Sequence, residues 1–267
     1  MFDIGLLSRP PVQRLSLSEI TLCAVSSTNV AATVRAMEIC LSYAEFADAV
    51  LFTDTSHADL VRGNSPIRLV NVARLDSSMA YSAFMLQQLP DFIETNYCLV
   101  VQWDSHIIDP ARWRPEFLEY DYIGASWPQF ADGHVVGNGG FSLRSRRLLE
   151  ACRQPGFKVH HPEDVAICRT NRNLLESIGI RFAPAALADA FAAERAGDPA
   201  QSFGYHGVFL MPEVLGVEQF WNIYRALDER GSMRPDFWAL WRAVLAGESG
   251  ATRAFRMLID QVADTVR

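Results

Sequence analysis

Ile20-Thr21-Leu22-Cys23-Ala24-Val25 is a short, nearly continuous apolar run close to the start of the chain. Such a run is typical of a strand that is buried on both faces of a parallel sheet. Thr28 or Asn29 then stands where it can cap a helix. The apolar residues of this helix recur with a period of 3.6: Val30, Val34, Met37, Leu41 and Ala44. Because Ala49-Val50-Leu51-Phe52 is a second apolar run, the stretch predicts a strand–helix–strand unit.

The same alternation continues to about residue 101. Strands are predicted at Ile67–Val72 and at Tyr97–Val101. Between them, Ser77 or Ser78 caps a predicted helix that runs to about Leu89. Repeated strand–helix–strand units imply a parallel sheet with right-handed crossovers. We therefore predict an α/β fold with a mostly parallel central sheet flanked by helices.

Beyond residue 101 the predicted elements change, first to short strands mixed with helices and then to helices alone. Short strands are predicted at 122–125, 135–141 and 180–183, helices at 145–152 and 162–179, and a glycine-flanked loop at 202–207. From about Glu213 onward the pattern is helical and rich in aromatic residues. We predict a main domain over residues 1–212 and a helical C-terminal extension over 213–267. This extension either packs on the main domain or forms a surface for a partner.

Composition excludes several classes of protein. The net charge is −7 over 267 residues, which excludes a general nucleic-acid binder. No window approaches the ~20 apolar residues of a membrane span, so no transmembrane segment is predicted. Residues 1–11 lack the long apolar segment of a secretory signal. The five cysteines have no CxxC spacing and are predicted to be reduced core thiols of a cytoplasmic protein: Cys23, Cys40, Cys98, Cys152 and Cys168.

Polar clusters follow three of the predicted strands. These are Ser26-Ser27, Thr53-Asp54 and Asp104-Ser105-His106. Ligands of parallel α/β sheets bind beyond the carboxyl ends of the strands, so we expect the three clusters at one edge. The carboxylate of Asp104 can hold a divalent cation there, or it can simply cap a turn. His106 is a second ligand of this cation, or it only lines the site.

Three further features can carry chemistry, and each has a structural alternative. Gly137-Asn138-Gly139-Gly140 allows close approach of the backbone to a ligand, or forms a hairpin corner. Pro162-Glu163-Asp164 opens a helix, where a carboxylate acts as a general base or only complements the helix dipole. His206, between Gly204 and Gly207, is a metal ligand or a hydrogen-bonded structural histidine.

The order of these features resembles that of metal-dependent GT-A glycosyltransferases. Val100–Asp104 looks like the strand that carries the DxD motif, and Asn138–Arg144 resembles the glycine-rich segment. Glu163-Asp164-Val165, followed by Gly179–Pro184, resembles the xED helix of Fringe-like β-1,3-glycosyltransferases. Ser202–Gly207 looks like the segment with the C-terminal metal-binding histidine.

The chain is also similar, over roughly residues 20 to 212, to a bacterial family long catalogued as a domain of unknown function. Members of that family look like glycosyltransferases. This chain departs from the DxD pattern, because Asp104-Ser105-His106 has a single carboxylate.

The resemblance implies a GT-A-like fold and an inverting glycosyltransferase that uses a nucleotide-sugar donor, with a UDP-sugar expected. Asp104 and His206, with His106, would hold Mn²⁺ or Mg²⁺, and Asp164 would be the general base. The implied donor and acceptor residues are Ser26, Asp54, Ser78, Trp103, Trp127, Asn138, Gly139, Gly140 and Glu163. The acceptor would be a glycan, a lipid-linked group or a protein. Peripheral contact with the inner membrane face and a homo-oligomer formed through the helical extension are further hypotheses.

Two alternatives belong to other classes. One is a metal-dependent hydrolase or phosphoesterase, built on the following residues: Asp104, His106, Asp164 and His206. The other is a non-catalytic carbohydrate- or nucleotide-binding module with a degenerate GT-A fold. Release of nucleoside diphosphate that requires an acceptor would distinguish transfer from both.

Two geometric expectations follow. If Asp104 and His206 share an ion, their ligating atoms lie at most about 5 Å apart. Adjacent positions of a helix point about 100° apart, so only one of Glu163 and Asp164 can face the site squarely. The resemblance assigns that position to Asp164, and Val165 and Cys168 then pack on the core.

Overall fold

The computed structural model describes residues 14–54, 60–61 and 65–266, with side chains up to residue 264. The prediction made for residues 1–11 lies outside the described residues. The strands are β1 (Leu15–Val25), β2 (Ala44–Thr53), β3 (Arg68–Asn71), β4 (Tyr97–Val101), β5 (Ser105–Ile107), β6 (Tyr122–Ile123), β7 (Phe141–Ser145), β8 (Ala192–Ala193) and β9 (Gly204–His206). The helices are α1 (Val30–Tyr43), α2 (Ser78–Gln87), α3 (Arg146–Ala151), α4 (Glu163–Val165), α5 (Arg172–Ser177), α6 (Ala185–Phe191), α7 (Met211–Val214), α8 (Val217–Ala226), α9 (Phe237–Leu245) and α10 (Gly250–Val266).

A six-stranded sheet in the order β3-β2-β1-β4-β7-β6 forms the centre of the protein. The first four of these strands are mutually parallel, and β7 pairs antiparallel with both β4 and β6. The predicted α/β class, with a mostly parallel central sheet, is confirmed. The carboxyl ends of β1, β2 and β4 lie at one edge, which brings Ser26, Asp54 and Asp104 to the same side of the sheet.

Helices cover both faces of this sheet. Alternate residues of β1 divide between two cores: Leu22 packs with α1, and Cys23 packs with α2. Because both faces are covered, the strands can be apolar throughout, as the run at 20–25 predicted. All five cysteines are buried and unpaired, in agreement with the prediction of core thiols.

A second, three-stranded sheet stands beside the carboxyl edge, in the order β5-β9-β8. Its strands correct two sequence predictions, since residues 105–107 continue as β5 and the predicted loop at 202–207 contains β9. Tyr205 of β9 is part of the apolar core formed by the C-terminal helices. The helical extension therefore packs on the main domain, while the boundary at residue 212 stays a prediction.

Other predicted boundaries shift for local reasons. Asn29 precedes α1 as predicted, but it has a φ of 52° and its side chain does not cap the helix. Ala44 begins β2 rather than ending α1. The predicted strand at 135–141 begins only at Phe141, because Asn138 has a φ of 60°. The predicted strand at 180–183 is reduced to one bridge between Phe182 and Tyr122.

The predicted helix at 162–179 consists of three pieces: α4, a π-helical turn over Ala166–Thr170, and α5. Gly179 follows α5 with a φ of 86°, as expected for a glycine that ends a helix. Within the residues that the structure describes, no helix combines the length and apolar character needed to cross a membrane.

Candidate functional site

Four segments that are distant in sequence meet at the carboxyl edge of the central sheet. Because β7 runs antiparallel to β4, the glycines that precede β7 enter at this edge, where the Gln102 amide donates to the Gly140 carbonyl (3.0 Å). The Gly139 amide donates to Oδ2 of Asp164 (3.1 Å), which brings in the start of α4. The Gly207 amide donates to the Asp104 carbonyl (3.1 Å), which brings in the end of β9.

Asp104 and His206 form the first pair of this site. Oδ1 of Asp104 lies 3.6 Å from Nε2 of His206, within the 5 Å expected for two ligands of one ion. Nδ1 of the same imidazole lies 3.3 Å from Oε1 of Glu194. A carboxylate behind a histidine is a common way to orient its other nitrogen toward a metal. Glu194 follows β8, and its role was not visible in the sequence.

The electrostatics of the pair depend on burial. Burial raises the pKa of the Asp104 carboxyl, although the charge of His206 opposes this effect. For His206, burial opposes the charged form, but Asp104 and Glu194 outweigh it and raise the pKa to about 9. Oδ1 of Asp104 is buried without a hydrogen-bond partner among the described residues. A cation can satisfy this oxygen and would displace the proton from His206.

These donors fit a divalent cation in type and spacing. The described residues contain no cluster of three or more His, Cys, Asp or Glu side chains suited to a metal. The remaining coordination positions would therefore fall to water or to oxygens of a ligand, as is common for Mg²⁺.

The two glycines allow side chains to approach the backbone closely. A Cβ atom on Gly140 would lie 2.1 Å from Nε2 of His206. A Cβ atom on Gly139 would lie 2.2 Å from Oε1 of Glu163. Both contacts are too short for any side chain, so glycine is needed at each position. Asn138 shapes the same turn, because its Oδ1 accepts from the Gly140 amide (3.1 Å).

Glu163 is tied to a buried arginine beneath the glycines. Its Oε1 lies 3.0 Å from Nη2 of Arg144, a residue with no exposed surface. Arg144 also donates to the Gly139 carbonyl (3.3 Å) and to Oγ of Ser142 (3.0 Å). The sequence indicated that Arg144 needs a partner, because a charged residue within the apolar strand 141–145 must be paired when it is buried.

Asp164 is in a different environment from its neighbour. It is half-buried, and its two carboxylate oxygens accept from the Gly139 amide (3.1 Å) and the Val165 amide (2.7 Å). Burial, and then the negative charge of Glu163, raise the pKa of the Asp164 carboxyl to about 6. Val165 and Cys168 pack on the core as predicted. Asp164 therefore stays mostly ionised at neutral pH and is poised to accept a proton.

Three predicted donor residues lie along the same edge, nearer to β2 and β3. Ser26 follows β1, and its amide donates to the Phe52 carbonyl (3.0 Å). Asp54 follows β2 and pairs with Arg74 through Oδ2 and Nη1 (3.2 Å). Ser78 is the exposed first residue of α2, and it is Ser77 whose side chain caps this helix.

The structure does not bring His106 to the Asp104–His206 pair. In the second sheet His106 pairs with Tyr205, and the neighbouring pair is Ser105 with His206. Side chains alternate between the faces of a strand, so His106 and His206 point to opposite faces. Burial lowers the pKa of His106 to about 4, and its Nδ1 is 2.7 Å from the Ile107 carbonyl oxygen. This placement speaks against the metal role considered for His106.

The two predicted stacking residues also pack against protein. Trp127 is buried, and a Cβ atom on Gly137 would lie 2.1 Å from its ring. Its ring centroid is 5.7 Å from that of Phe130. Trp103 is half-buried against the core of the C-terminal helices. Trp127 therefore offers no open face for stacking at the site.

The fold and site define a class: an α/β protein with a carboxylate, a carboxylate–histidine pair and two glycines at the carboxyl edge of a mostly parallel sheet. The chain belongs to the family described as protein of unknown function (DUF5672), whose model matches residues 64–206. No curated protein matches the sequence.

Among solved structures, the chain is similar to "Mannosyltransferase PcManGT from Pyrobaculum calidifontis in complex with GDP-Man and Mn2+". The identity is 13% and the TM-score is 0.43, over 92% of this chain and 76% of that one.

Proposed function

We propose that this protein is a glycosyltransferase with a GT-A-like fold that moves a sugar from a nucleotide-sugar donor to an acceptor hydroxyl with inversion. The proposal rests on the positions of Asp164 and of the Asp104–His206 pair on the two sides of Gly139 and Gly140. Gly139 binds Asp164 on one side, and Gly140 touches His206, the partner of Asp104, on the other. A proton acceptor and a cation-binding pair therefore flank the same two glycines.

Asp164 is the proposed general base. An acceptor hydroxyl would attack the anomeric carbon on the face opposite the leaving group, so a bond from oxygen to carbon forms as the bond from carbon to the diphosphate breaks. The hydroxyl proton passes to the Asp164 carboxylate, and the electron pair of the broken bond leaves with the nucleoside diphosphate. Glu163 is unsuited to this task because its charge is already paired with Arg144.

Asp104 and His206 would hold Mn²⁺ or Mg²⁺, and Glu194 would orient the imidazole of His206. When bound, the cation supplies positive charge to the diphosphate leaving group. Ser26, Asp54 and Ser78 would border the nucleoside.

A thermal-shift screen of nucleotide sugars, with and without Mn²⁺, tests the donor half of the proposal. A ligand that binds the native state raises its melting temperature. Release of nucleoside diphosphate is then measured with the best donor, with and without candidate acceptor sugars. Release that needs an acceptor supports transfer. Release in water alone indicates the hydrolase, and binding without any release indicates the non-catalytic module.

A nucleoside diphosphate should raise the melting temperature more in the presence of Mn²⁺ than in its absence. Asp104→Ala is expected to abolish this Mn²⁺-dependent increase. The substitution removes one of two ligands of the cation. At about 100 times its dissociation constant, a ligand stabilises by about 2.7 kcal/mol, so the loss is measurable by calorimetry. Asp109→Ala, at a half-exposed carboxylate outside the site, is the control and keeps the full increase. An unchanged increase in Asp104→Ala would remove Asp104 from the metal role.

The pH dependence of kcat/KM tests the state of Asp164. Its pKa is raised to about 6, so the carboxylate is available as a base above this pH and is lost as the pH falls through it. At saturating Mn²⁺ we expect kcat/KM to fall about tenfold per pH unit below about 6. An acid limb that appears only near 4, the ordinary pKa of an aspartate, would contradict the desolvated environment described here.

A further inference from the structure

The outer surfaces of α9 and α10 are unusually apolar. Five large apolar side chains on these helices are exposed, with relative exposures of 61%, 41%, 63%, 47% and 66%: Trp238, Leu245, Phe255, Ile259 and Val262. We call these five residues the C-terminal apolar face. On α10 they recur at spacings of four and three, so they project from one side of the helix. The opposite side of α10 is used by the core, where Ala254 and Met257 are buried.

Two arginines of these helices are exposed, whereas the carboxylates of α10 are buried or half-buried. Arg242 and Arg256 are exposed beside the apolar face. The carboxylates of α10 turn inward: Asp260 is buried and pairs with Arg256 (2.9 Å), and Asp264 is half-buried and pairs with Arg230 (3.5 Å). Within segment 237–264, the exposed carboxylate is that of Glu248, in the turn between the two helices. Arg256 is therefore partly neutralised by Asp260, whereas Arg242 has no ion-pair partner among the described residues and leaves a positive charge beside the face.

A cavity of about 380 Å³ opens next to this face. Its lining contains three arginines, one aromatic ring and one carboxylate: Arg225, Arg230, Arg256, Trp221 and Asp260. Arg225 is exposed and makes no hydrogen bond or ion pair with the residues that the structure describes. Nε of Arg230 is buried and also lacks an acceptor among the described residues. Guanidinium groups with unused donors are suited to phosphate oxygens.

We propose that the C-terminal apolar face and the adjoining arginine cavity bind the surface of an anionic phospholipid bilayer. The apolar side chains enter the headgroup region, and the cavity takes headgroup phosphates. Trp238 suits this place, because tryptophan is enriched where apolar and aqueous regions meet. Arg256 joins the two parts, since it stands beside the face and lines the cavity.

A lipid surface fits this face better than a second copy of the chain. A two-fold pairing through α10 would bring the same patch of both copies together. Arg242 of each copy would then lie at an interface without an exposed carboxylate of α9 or α10 to pair with it, and such like-charge contacts are unfavourable. An anionic surface instead complements both the arginines and the apolar side chains.

Flotation of the full chain with lipid vesicles tests this proposal, without donor or acceptor, so the result is independent of the glycosyltransferase activity. We expect binding to vesicles with about 30% phosphatidylglycerol and little binding to pure phosphatidylcholine, because each arginine near an anionic surface contributes about fivefold. The double variant Phe255→Ser/Ile259→Ser should weaken binding about tenfold or more. Val159→Ser/Ile178→Ser, at exposed apolar residues elsewhere, is the matched control and should bind normally.

The charged part has its own test. Arg225→Gln/Arg242→Gln leaves the apolar face intact and should weaken binding to the anionic vesicles about 25-fold, at the same rate of about fivefold per arginine. Equal binding of neutral and anionic vesicles would overturn the role of the arginines. Unchanged binding by Phe255→Ser/Ile259→Ser would overturn the role of the face. If the protein does not bind vesicles but forms a dimer, and Phe255→Ser/Ile259→Ser dissociates this dimer, the face binds a second copy of the chain.

Discussion

Asp164→Asn is expected to lower the rate of sugar transfer about 10²–10⁴-fold, the usual contribution of a general base. Asparagine has nearly the same shape, and its Oδ1 can still accept from the Gly139 amide, but its NH2 group cannot accept from the Val165 amide as Asp164 does now. It cannot take a proton from an acceptor hydroxyl. The loss should therefore fall on turnover, with donor binding retained.

The measurement is a single-turnover rate at pH 7.5 together with a melting curve. The stability should stay close to that of the wild type, because removing a desolvated charge beside Glu163 offsets the lost hydrogen bond from the Val165 amide. Asp132→Asn, at a surface carboxylate paired with Arg169, is the control and should keep the full rate. A wild-type rate in Asp164→Asn, together with a lost rate in Glu163→Gln measured below the melting temperature of that variant, would mean that the other carboxylate is the base.

Glu163→Gln is expected to destabilise the protein by about 3–5 kcal/mol, because it leaves the fully buried guanidinium of Arg144 without its counter-charge. For a chain of this size the melting temperature should fall by about 5–9 °C. Glu176→Gln removes a carboxylate from the partly exposed pair with Arg172 and should cost at most about 1 kcal/mol.

The origin of this loss can be separated from a general packing defect. The double variant Arg144→Met/Glu163→Gln removes both charges, and it should recover part of the stability lost in Glu163→Gln. Equal melting temperatures for Glu163→Gln and Glu176→Gln would contradict the structural role given to the buried pair. A double variant less stable than Glu163→Gln would mean that Arg144 acts mainly through its bonds to Gly139 and Ser142.

Much of the site could be predicted from local pattern. Asp104 follows an apolar run, and parallel strands end at a common edge, so its placement near Ser26 and Asp54 follows from strand direction alone. Two acids at a helix start point in different directions, which is why only one of Glu163 and Asp164 was expected to face the site. The sequence also marked Gly139 and Gly140 as positions of close approach, although not what approaches them.

Other parts needed contacts between distant residues. Nothing near position 194 indicates that Glu194 binds His206, because their contact depends on the pairing of β8 with β9. His106 stands two residues from Asp104 and looked like a second ligand. The pairing of β5 with β9 sends its side chain to the face opposite His206.

The amino-acid sequence by itself determined the strand–helix alternation, the buried strands 20–25, 49–52 and 97–101, and the polar residues at their carboxyl ends. These are local properties, because the period of apolar residues and the cap at Ser77 depend only on neighbours in the chain. Only the tertiary structure decided the reversal of β7, which brings the two glycines to the same edge. It also decided the burial of Arg144 beneath them, which neutralises Glu163 and leaves the carboxylate of Asp164 without a cationic partner of this kind. Both outcomes depend on which distant groups share one desolvated space, and a local pattern does not encode that choice.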